Sequence, residues 1–71
     1  MDLMRLRRRR VRLHLKDGQT TLDGIIVGSV DKHYLVKVAR LVQGENDTVS
    51  LDGDVEIPRS NVSFIQRLGD Q

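Results

Sequence analysis

Alternation of apolar and polar residues predicts short β-strands from the start of the chain. Residues 11–16 carry apolar side chains at the odd positions and polar ones at the even positions, which is the period of a half-buried strand. Asp17-Gly18 follows and favours a tight hairpin turn, because both residues tolerate positive φ. Residues 20–30 are rich in β-branched side chains and predict a second strand. Gly24 and Gly28 are expected to be points where that strand bends or another backbone comes close.

The middle of the chain predicts a third strand and a second hairpin. Polar residues 31–33 turn the chain into a strand over 34–42, with Tyr34, Val36 and Val38 expected on one face. A polar loop over residues 43–48 comes next. After it, Asp52-Gly53 repeats the hairpin signal of Asp17-Gly18.

The last part of the chain predicts two more strands separated by a short turn. Pro58 either ends the strand over residues 55–57 or places it on an edge, since proline donates no hydrogen bond. Residues 62–68 form the final strand. The strand ending at Pro58, or the strand over residues 20–30, is therefore expected to add to a partner's sheet by backbone pairing.

Five short strands with regularly spaced turns predict an all-β fold, a small five-stranded antiparallel open barrel. With 71 residues the chain has room for one domain and a thin core. We divide it into an arginine-rich arm over residues 1–10, a barrel over 11–68 and a tail over 69–71. Asp2 is a candidate cap for a short basic helix over residues 2–9.

Charge separates the arm from the body. Residues 1–16 hold seven Lys or Arg against one Asp, a net of +6, whereas residues 17–71 hold five against nine, a net of −4. Such a dipolar layout favours an anionic partner at one end, or head-to-tail contacts between copies. The predicted partner-binding residues are the six clustered arginines, Arg5, Arg7, Arg8, Arg9, Arg10 and Arg12. Six phosphate contacts would give a log-affinity against log-salt slope of about −5, so nucleic acid is the alternative target.

Catalytic, metal and membrane signals are weak or absent. The chain has no Cys, and His14 and His33 fall on different predicted elements, so no metal site is expected. No nucleophile elbow or phosphate-binding loop occurs, so we predict no enzyme, no cofactor and no small-molecule substrate. The longest apolar run has three residues, so no membrane partner is expected. Tyr34 and Phe64, the only aromatics, are expected in the core rather than as a stacking platform.

The segments VRLHLKDG, DGIIVGSVD and VEIPRSNVSFI resemble the Sm-like family of small barrels. The resemblance implies a five-stranded open barrel, Sm-like or Src-homology-3-like, behind an N-terminal helix. It also implies copies that pair through strands into rings, many of which bind uridine-rich RNA. At the positions where the family has RNA-contacting residues, Pro58 replaces an Arg, Arg59 replaces a Gly, and Tyr34 or Leu35 replaces an Asn. The family's RNA contacts are therefore not matched.

A second resemblance points to a function. The arginine-rich start, the GIIVG strand, HYLVKVARLV and the VEIPRSNVSFIQRL ending are similar in style to short barrel proteins of tailed bacteriophages of actinobacteria. This implies a minor capsid or head-tail protein, located in the virion and assembled in the host cytoplasm. We expect a non-catalytic structural subunit whose arm docks on acidic capsid, portal or tail proteins, or on copies of itself. The alternative is a cytoplasmic Sm-like protein whose arginines contact nucleic-acid phosphates.

Overall fold

The fold is all-β, as predicted. The computed structural model describes residues 9–68, which form one antiparallel sheet of six strands. The strands are β1 (Arg10–Leu15), β2 (Thr21–Val30), β3 (His33–Val42), β4 (Thr48–Ser50), β5 (Val55–Pro58) and β6 (Val62–Arg67). A 3-10 turn, Arg59–Asn61, joins β5 to β6. Of the helix expected over residues 2–9, only Arg9 is described, and it lies in a bend.

The six strands make a five-row open barrel. The order is β4-β3-β2-β1-β6, and β5 also pairs with β3. β4 lies opposite the end of β3, with Val42 against Thr48, and β5 lies opposite its start, with Tyr34 against Ile57. The two short strands are thus halves of one interrupted edge row. Because three residues connect β5 on one side of the sheet to β6 on the other, the sheet must curl.

The hairpin predicted at Asp52-Gly53 is wrong. Gly53 does adopt a positive φ of 75°, but the strands on either side of it pair with β3 and not with each other. β3 has ten residues, enough to pair with both short strands in succession. The turn therefore interrupts an edge row without reversing the chain.

Two tight turns define the first three strands. The Asp17-Gly18 turn is confirmed: Gly18 has φ of 75° and the Leu15 N–H donates to Thr20 O at 3.0 Å. The turn between β2 and β3 pairs Val30 with His33, and both central residues have positive φ, 50° at Asp31 and 62° at Lys32. This is the handedness that two-residue hairpins favour, reached here without glycine.

Gly24 and Gly28 mark irregularities in β2, as predicted. The register with β3 shifts between Asp23 and Ile25, and again between Ile26 and Gly28. A Cβ on Gly24 would lie 2.5 Å from Val36 Cγ1 and 3.2 Å from the Lys37 carbonyl oxygen. Gly24 is thus required by close approach of β3.

The core fills the inside of the curled sheet. Its buried members come from four strands: Val11, Leu13, Leu22, Ile26, Tyr34, Val36, Ala39 and Ile57. Tyr34 is buried as expected, but the prediction for Phe64 is wrong, since its side chain is 56% exposed. The register pairs Phe64 with His14, and residues opposite one another share a face. Because His14 points away from the core, so does Phe64.

The alternation of inward and outward side chains along β3 reverses at Val38. Tyr34 and Val36 point inward as predicted, but Val38 is 63% exposed and Ala39 is buried in its place. Val38 has a φ of 53°, and the register shift on β2 lies opposite. An irregularity of this kind adds a residue and reverses the alternation. The prediction that Val38 shares the face of Tyr34 is therefore wrong.

Candidate partner-binding surface

The six arginines predicted to bind a partner do not share one environment. Arg5, Arg7 and Arg8 lie outside the described residues. Arg9 and Arg10 are exposed, and Arg10 is the first residue of β1. Arg12 differs from both, because its guanidinium is bound by the Asp23 carboxylate of β2.

Arg12 forms an ion pair with the one buried carboxylate among residues 9–68. Its Nε donates to Asp23 Oδ1 at 2.6 Å and its Nη2 to Oδ2 at 2.9 Å. The Asp23 side chain is 5% exposed and that of Arg12 32%. The hydrogen bonds to Asp23 raise the pKa of Arg12, an effect opposed by partial burial and aided by the carboxylate charge. Arg12 thus compensates a buried charge on β2, which charge counting along the sequence did not reveal.

A cationic and apolar depression lies beside this pair on the outer face of the sheet. It measures about 120 Å³, and its lining residues are Arg10, Gly24, Ile25, Val38 and Arg40. β1 and β2 pair Arg10 with Ile25, while β2 and β3 pair Asp23 with Arg40. Two exposed guanidinium groups therefore flank an apolar floor. We name these five residues the outer depression.

The sequence analysis missed Arg40 and Val38 as parts of this surface. Arg40 lies 28 residues from Arg12 along the chain, and only the strand pairing brings it beside Asp23. Val38 reaches the outer face because the backbone irregularity turns it out. The nearest sequence signal was Gly24, which lines the depression, although its missing side chain makes room for Val36 and the β3 backbone.

A second outer feature is an exposed aromatic stack. The rings of His14 and Phe64 lie 4.1 Å apart with an interplanar angle of 14°. His14 Nε2 is 3.0 Å from Gln66 Oε1 on β6, which holds the imidazole in place. Phe64 is 56% exposed, which the prediction of a buried Phe64 did not anticipate.

The barrel exposes free strand edges. Among the described residues, β6 pairs only with β1, and β4 and β5 pair only with β3. The edge predicted at Pro58 is therefore present. The strand over residues 20–30 was also predicted to add to a partner's sheet. Its first half cannot do so, because residues 21–25 pair with β1 on one side and β3 on the other. Residues 26–30 pair only with β3 within the described chain.

The positions that correspond to RNA contacts in the Sm-like family have different chemistry here. Tyr34 is 6% exposed and belongs to the core. Pro58 ends β5 opposite His33, and the Arg59 N–H donates to Lys32 O at 2.9 Å, which brings the two turns together. Within residues 9–68 no group of three or more potential ligands could hold a metal ion. No helix in this part of the chain is long and apolar enough to cross a membrane.

Comparison with known proteins supports the fold. No protein-family model matches the chain, and no curated protein sequence matches it significantly. Among solved structures, it is similar to the Sm-like protein AF-Sm2 from Archaeoglobus fulgidus, with a TM-score of 0.77 and 24% identity over 93% of this chain and 88% of that one. It is also similar to a chain in the crystal structure of the NatC complex bound to CoA, with a TM-score of 0.74 and 19% identity over 94% of this chain and 84% of that one. The chain has the Sm-like fold.

Proposed function

We propose that this protein is a non-catalytic structural or adaptor subunit that works within a larger protein assembly. The observation that carries the proposal is the pair of free edges, β6 on one side and β4 with β5 on the other. Unpaired edges readily accept a strand from another chain. A protein of the same fold is part of the NatC complex, which supports the small barrel as an assembly module.

The arginine-rich arm supplies a second attachment. Residues 1–10 hold five of the nine arginines of the chain, and Arg9 and Arg10 are exposed where the arm meets β1. An acidic protein surface matches this charge, and guanidinium groups bind carboxylates in bidentate geometry. On the resemblance to phage barrel proteins, we assign the assembly to a tailed-phage virion, where the protein is a minor capsid or head-tail component.

The test removes positive charge from the arginine-rich arm and leaves the barrel folded. In the variant Arg7→Ser, Arg8→Ser, Arg9→Ser and Arg10→Ser, we expect the circular dichroism spectrum to be retained and incorporation into the assembly to be lost. The matched control removes four exposed cations elsewhere, at Lys16, Lys32, Arg59 and Arg67. The control should still be incorporated. Normal incorporation of the arm variant would defeat the proposal.

A second candidate function is nucleic-acid binding, favoured by the exposed stack of His14 on Phe64. Single-stranded nucleic acid is held by aromatic stacking together with basic side chains, and one stacked base contributes about 1–3 kcal/mol. In that case Phe64→Ala would weaken oligonucleotide binding by roughly tenfold, and added RNA would displace the protein from its partner. Release by RNA, together with loss of RNA binding in the Phe64 variant, would favour this function over the structural one.

A further inference from the structure

The chain contains three Asp-Gly steps, a sequence at which a protein backbone rearranges readily. They are Asp17-Gly18, Asp23-Gly24 and Asp52-Gly53. Glycine has no side chain to shield its backbone nitrogen, so this nitrogen can approach the side-chain carboxyl carbon of the preceding aspartate and attack it. The attack requires a carboxyl group and a peptide nitrogen that are both free to move together. The three steps differ in this respect.

The first step, Asp17-Gly18, is held by hydrogen bonds on both reacting groups. The Asp17 carboxylate accepts from the backbone N–H groups of Gln19 and Thr20, both at 2.8 Å, and from the Thr20 hydroxyl at 2.5 Å. The Gly18 N–H donates to Leu15 O at 3.2 Å. These bonds oppose the movement that would bring the nitrogen onto the carboxyl carbon.

The second step, Asp23-Gly24, lies within the paired part of β2. The Asp23 side chain is 5% exposed, and Arg12 binds both of its carboxylate oxygens. Gly24 lies opposite Val11 of β1, and the space beside its Cα is filled by Val36 of β3. The succinimide ring could not close here unless the sheet opened.

The third step, Asp52-Gly53, has neither form of protection. Both residues are exposed and lie in the connection between β4 and β5. Within residues 9–68, no hydrogen bond or ion pair involves the Asp52 carboxylate or the Gly53 N–H. A Cβ built on Gly53 would meet nothing within 4 Å. Both reacting groups are therefore free, and the space around them is open.

We infer that Asp52-Gly53 is a site of spontaneous isomerisation to isoaspartate in the folded protein. The Gly53 nitrogen bonds to the side-chain carboxyl carbon of Asp52, and the carboxyl hydroxyl leaves with the amide proton as water. Water then adds to the main-chain carbonyl carbon of Asp52 in the five-membered succinimide, and the bond from this carbon to the Gly53 nitrogen breaks. The chain now continues through the side chain of residue 52, and the former main-chain carbonyl is a carboxylate. No atom is gained or lost overall.

The isomerised residue would lengthen the connection between β4 and β5, because it adds one carbon to the main chain. On one side of Asp52, the Leu51 N–H donates to Ala39 O of β3 at 2.9 Å. On the other side, Val55 pairs with Val36 of the same strand. The added carbon would lie between two points that are both fixed to β3, so we expect it to weaken the pairing of β5. This inference is independent of the proposed function.

The test is incubation of the purified full chain at body temperature in mildly acidic buffer, followed by tryptic peptide mapping. Trypsin releases residues 41–59 with Asp52, and residues 17–32 with Asp17 and Asp23. Isoaspartate leaves the peptide mass unchanged, shifts its retention time and blocks cleavage by Asp-N protease, and electron-transfer fragmentation locates it. We expect isoaspartate to accumulate at position 52 at least about tenfold faster than at position 17 or 23, where local structure must open first.

The controls are the chain unfolded in urea and the variant Asp52→Glu. In urea all three steps should react at similar rates, because the dipeptide is the same and the fold no longer protects two of them. Asp52→Glu keeps the charge and the glycine, but its attack would have to close a six-membered ring, so position 52 should stay unmodified. The isoaspartyl chain, separated by ion exchange, should unfold at a lower urea concentration than the unmodified chain.

Isoaspartate that accumulates at position 17 or 23 of the folded chain as fast as at position 52 would overturn the inference. So would a folded chain whose Asp52 stays unmodified although the same residue reacts in urea, since the turn would then hold the two groups apart. An unchanged urea midpoint for the isoaspartyl chain would contradict the expected weakening of β5.

Discussion

At the residue scale, the buried ion pair between Arg12 and Asp23 is the most consequential polar contact. Removing one member of such a pair leaves the other buried without compensation, which costs more than the pair contributes. In Arg12→Ala we expect the free energy of unfolding to fall by about 2 kcal/mol, measured by urea denaturation. Arg10→Ala is the control, because its exposed side chain should change stability by less than about 0.5 kcal/mol. Equal effects of the two variants would show that Arg12 does not compensate Asp23.

Gly24 and Gly28 provide a matched pair on β2. The methyl group of Gly24→Ala would overlap Val36 and the Lys37 carbonyl, whereas a Cβ on Gly28 meets nothing within 4 Å. Overpacking of this kind costs roughly 1–3 kcal/mol. We expect that loss for Gly24→Ala in chemical denaturation, and a change between zero and a gain of about 1 kcal/mol for Gly28→Ala. Similar losses at both positions would contradict the close approach of β3 to Gly24.

Asp17 makes the first turn sensitive to pH. The Thr20 hydroxyl donates to its carboxylate at 2.5 Å, and the backbone N–H groups of Gln19 and Thr20 donate at 2.8 Å. These bonds, that of the Thr20 hydroxyl first, lower the pKa of Asp17 below its ordinary value of 3.8. Because the folded pKa is depressed, the stabilisation is present above the unfolded pKa and is lost as pH falls through the folded one.

Asp17→Asn tests this contribution. The variant should be less stable than the native protein at pH 7, and the difference in urea midpoint should shrink as pH falls below about 4. Glu45→Gln, in the exposed loop, is the control and should show a midpoint close to the native one throughout. A difference for Asp17→Asn that stays constant down to pH 2 would mean that the carboxylate charge is not the cause.

At the scale of elements, the backbone of the turn between β2 and β3 is strained, because residues other than glycine adopt positive φ there. Lys32 has a φ of 62°, a conformation that costs an L-residue roughly 1–2 kcal/mol and glycine nothing. Lys32→Gly should therefore raise the free energy of unfolding by about 1 kcal/mol, measured by thermal or urea denaturation. The bond from the Arg59 N–H to the carbonyl at position 32 is kept. A destabilised variant would show that the lysine side chain contributes more than its backbone costs.

The sequence pattern correctly predicted those elements whose conformation is determined by neighbouring residues. Alternation over residues 11–16 and the Asp17-Gly18 turn gave the first hairpin, since side-chain direction and turn conformation are properties of neighbouring residues. Asp52-Gly53 carries the same local signal but a different outcome, because the ten-residue β3 pairs with the strands on both sides of it. Pairing of this kind depends on distant partners that local pattern does not encode.

The candidate site was predicted less completely than the fold, for the same reason. The arm arginines are visible as a run of sequence. The outer depression is not visible in the sequence, because Arg10 and Arg40 are brought near each other only by the pairing of β1, β2 and β3. Val38 was expected on the face of Tyr34, and Phe64 was expected in the core. The irregular backbone of β3 exposes Val38, and the register that pairs Phe64 with His14 exposes Phe64.

At the scale of the whole molecule, charge and free edges point to assembly. The net charge is +6 in residues 1–16 and −4 in the remainder. Within residues 9–68, β6 pairs only with β1, and β4 and β5 pair only with β3. Such a molecule has several means of contacting other proteins.

The most direct test of the assembly proposal is mass analysis of the protein purified from its native source in gentle salt, with a nuclease-treated sample in parallel. The proposal predicts that the chain co-purifies with large protein particles and that nuclease leaves the mass unchanged. A monomer or small ring that sheds nucleic acid on nuclease treatment would contradict it, and would make the arginines phosphate ligands.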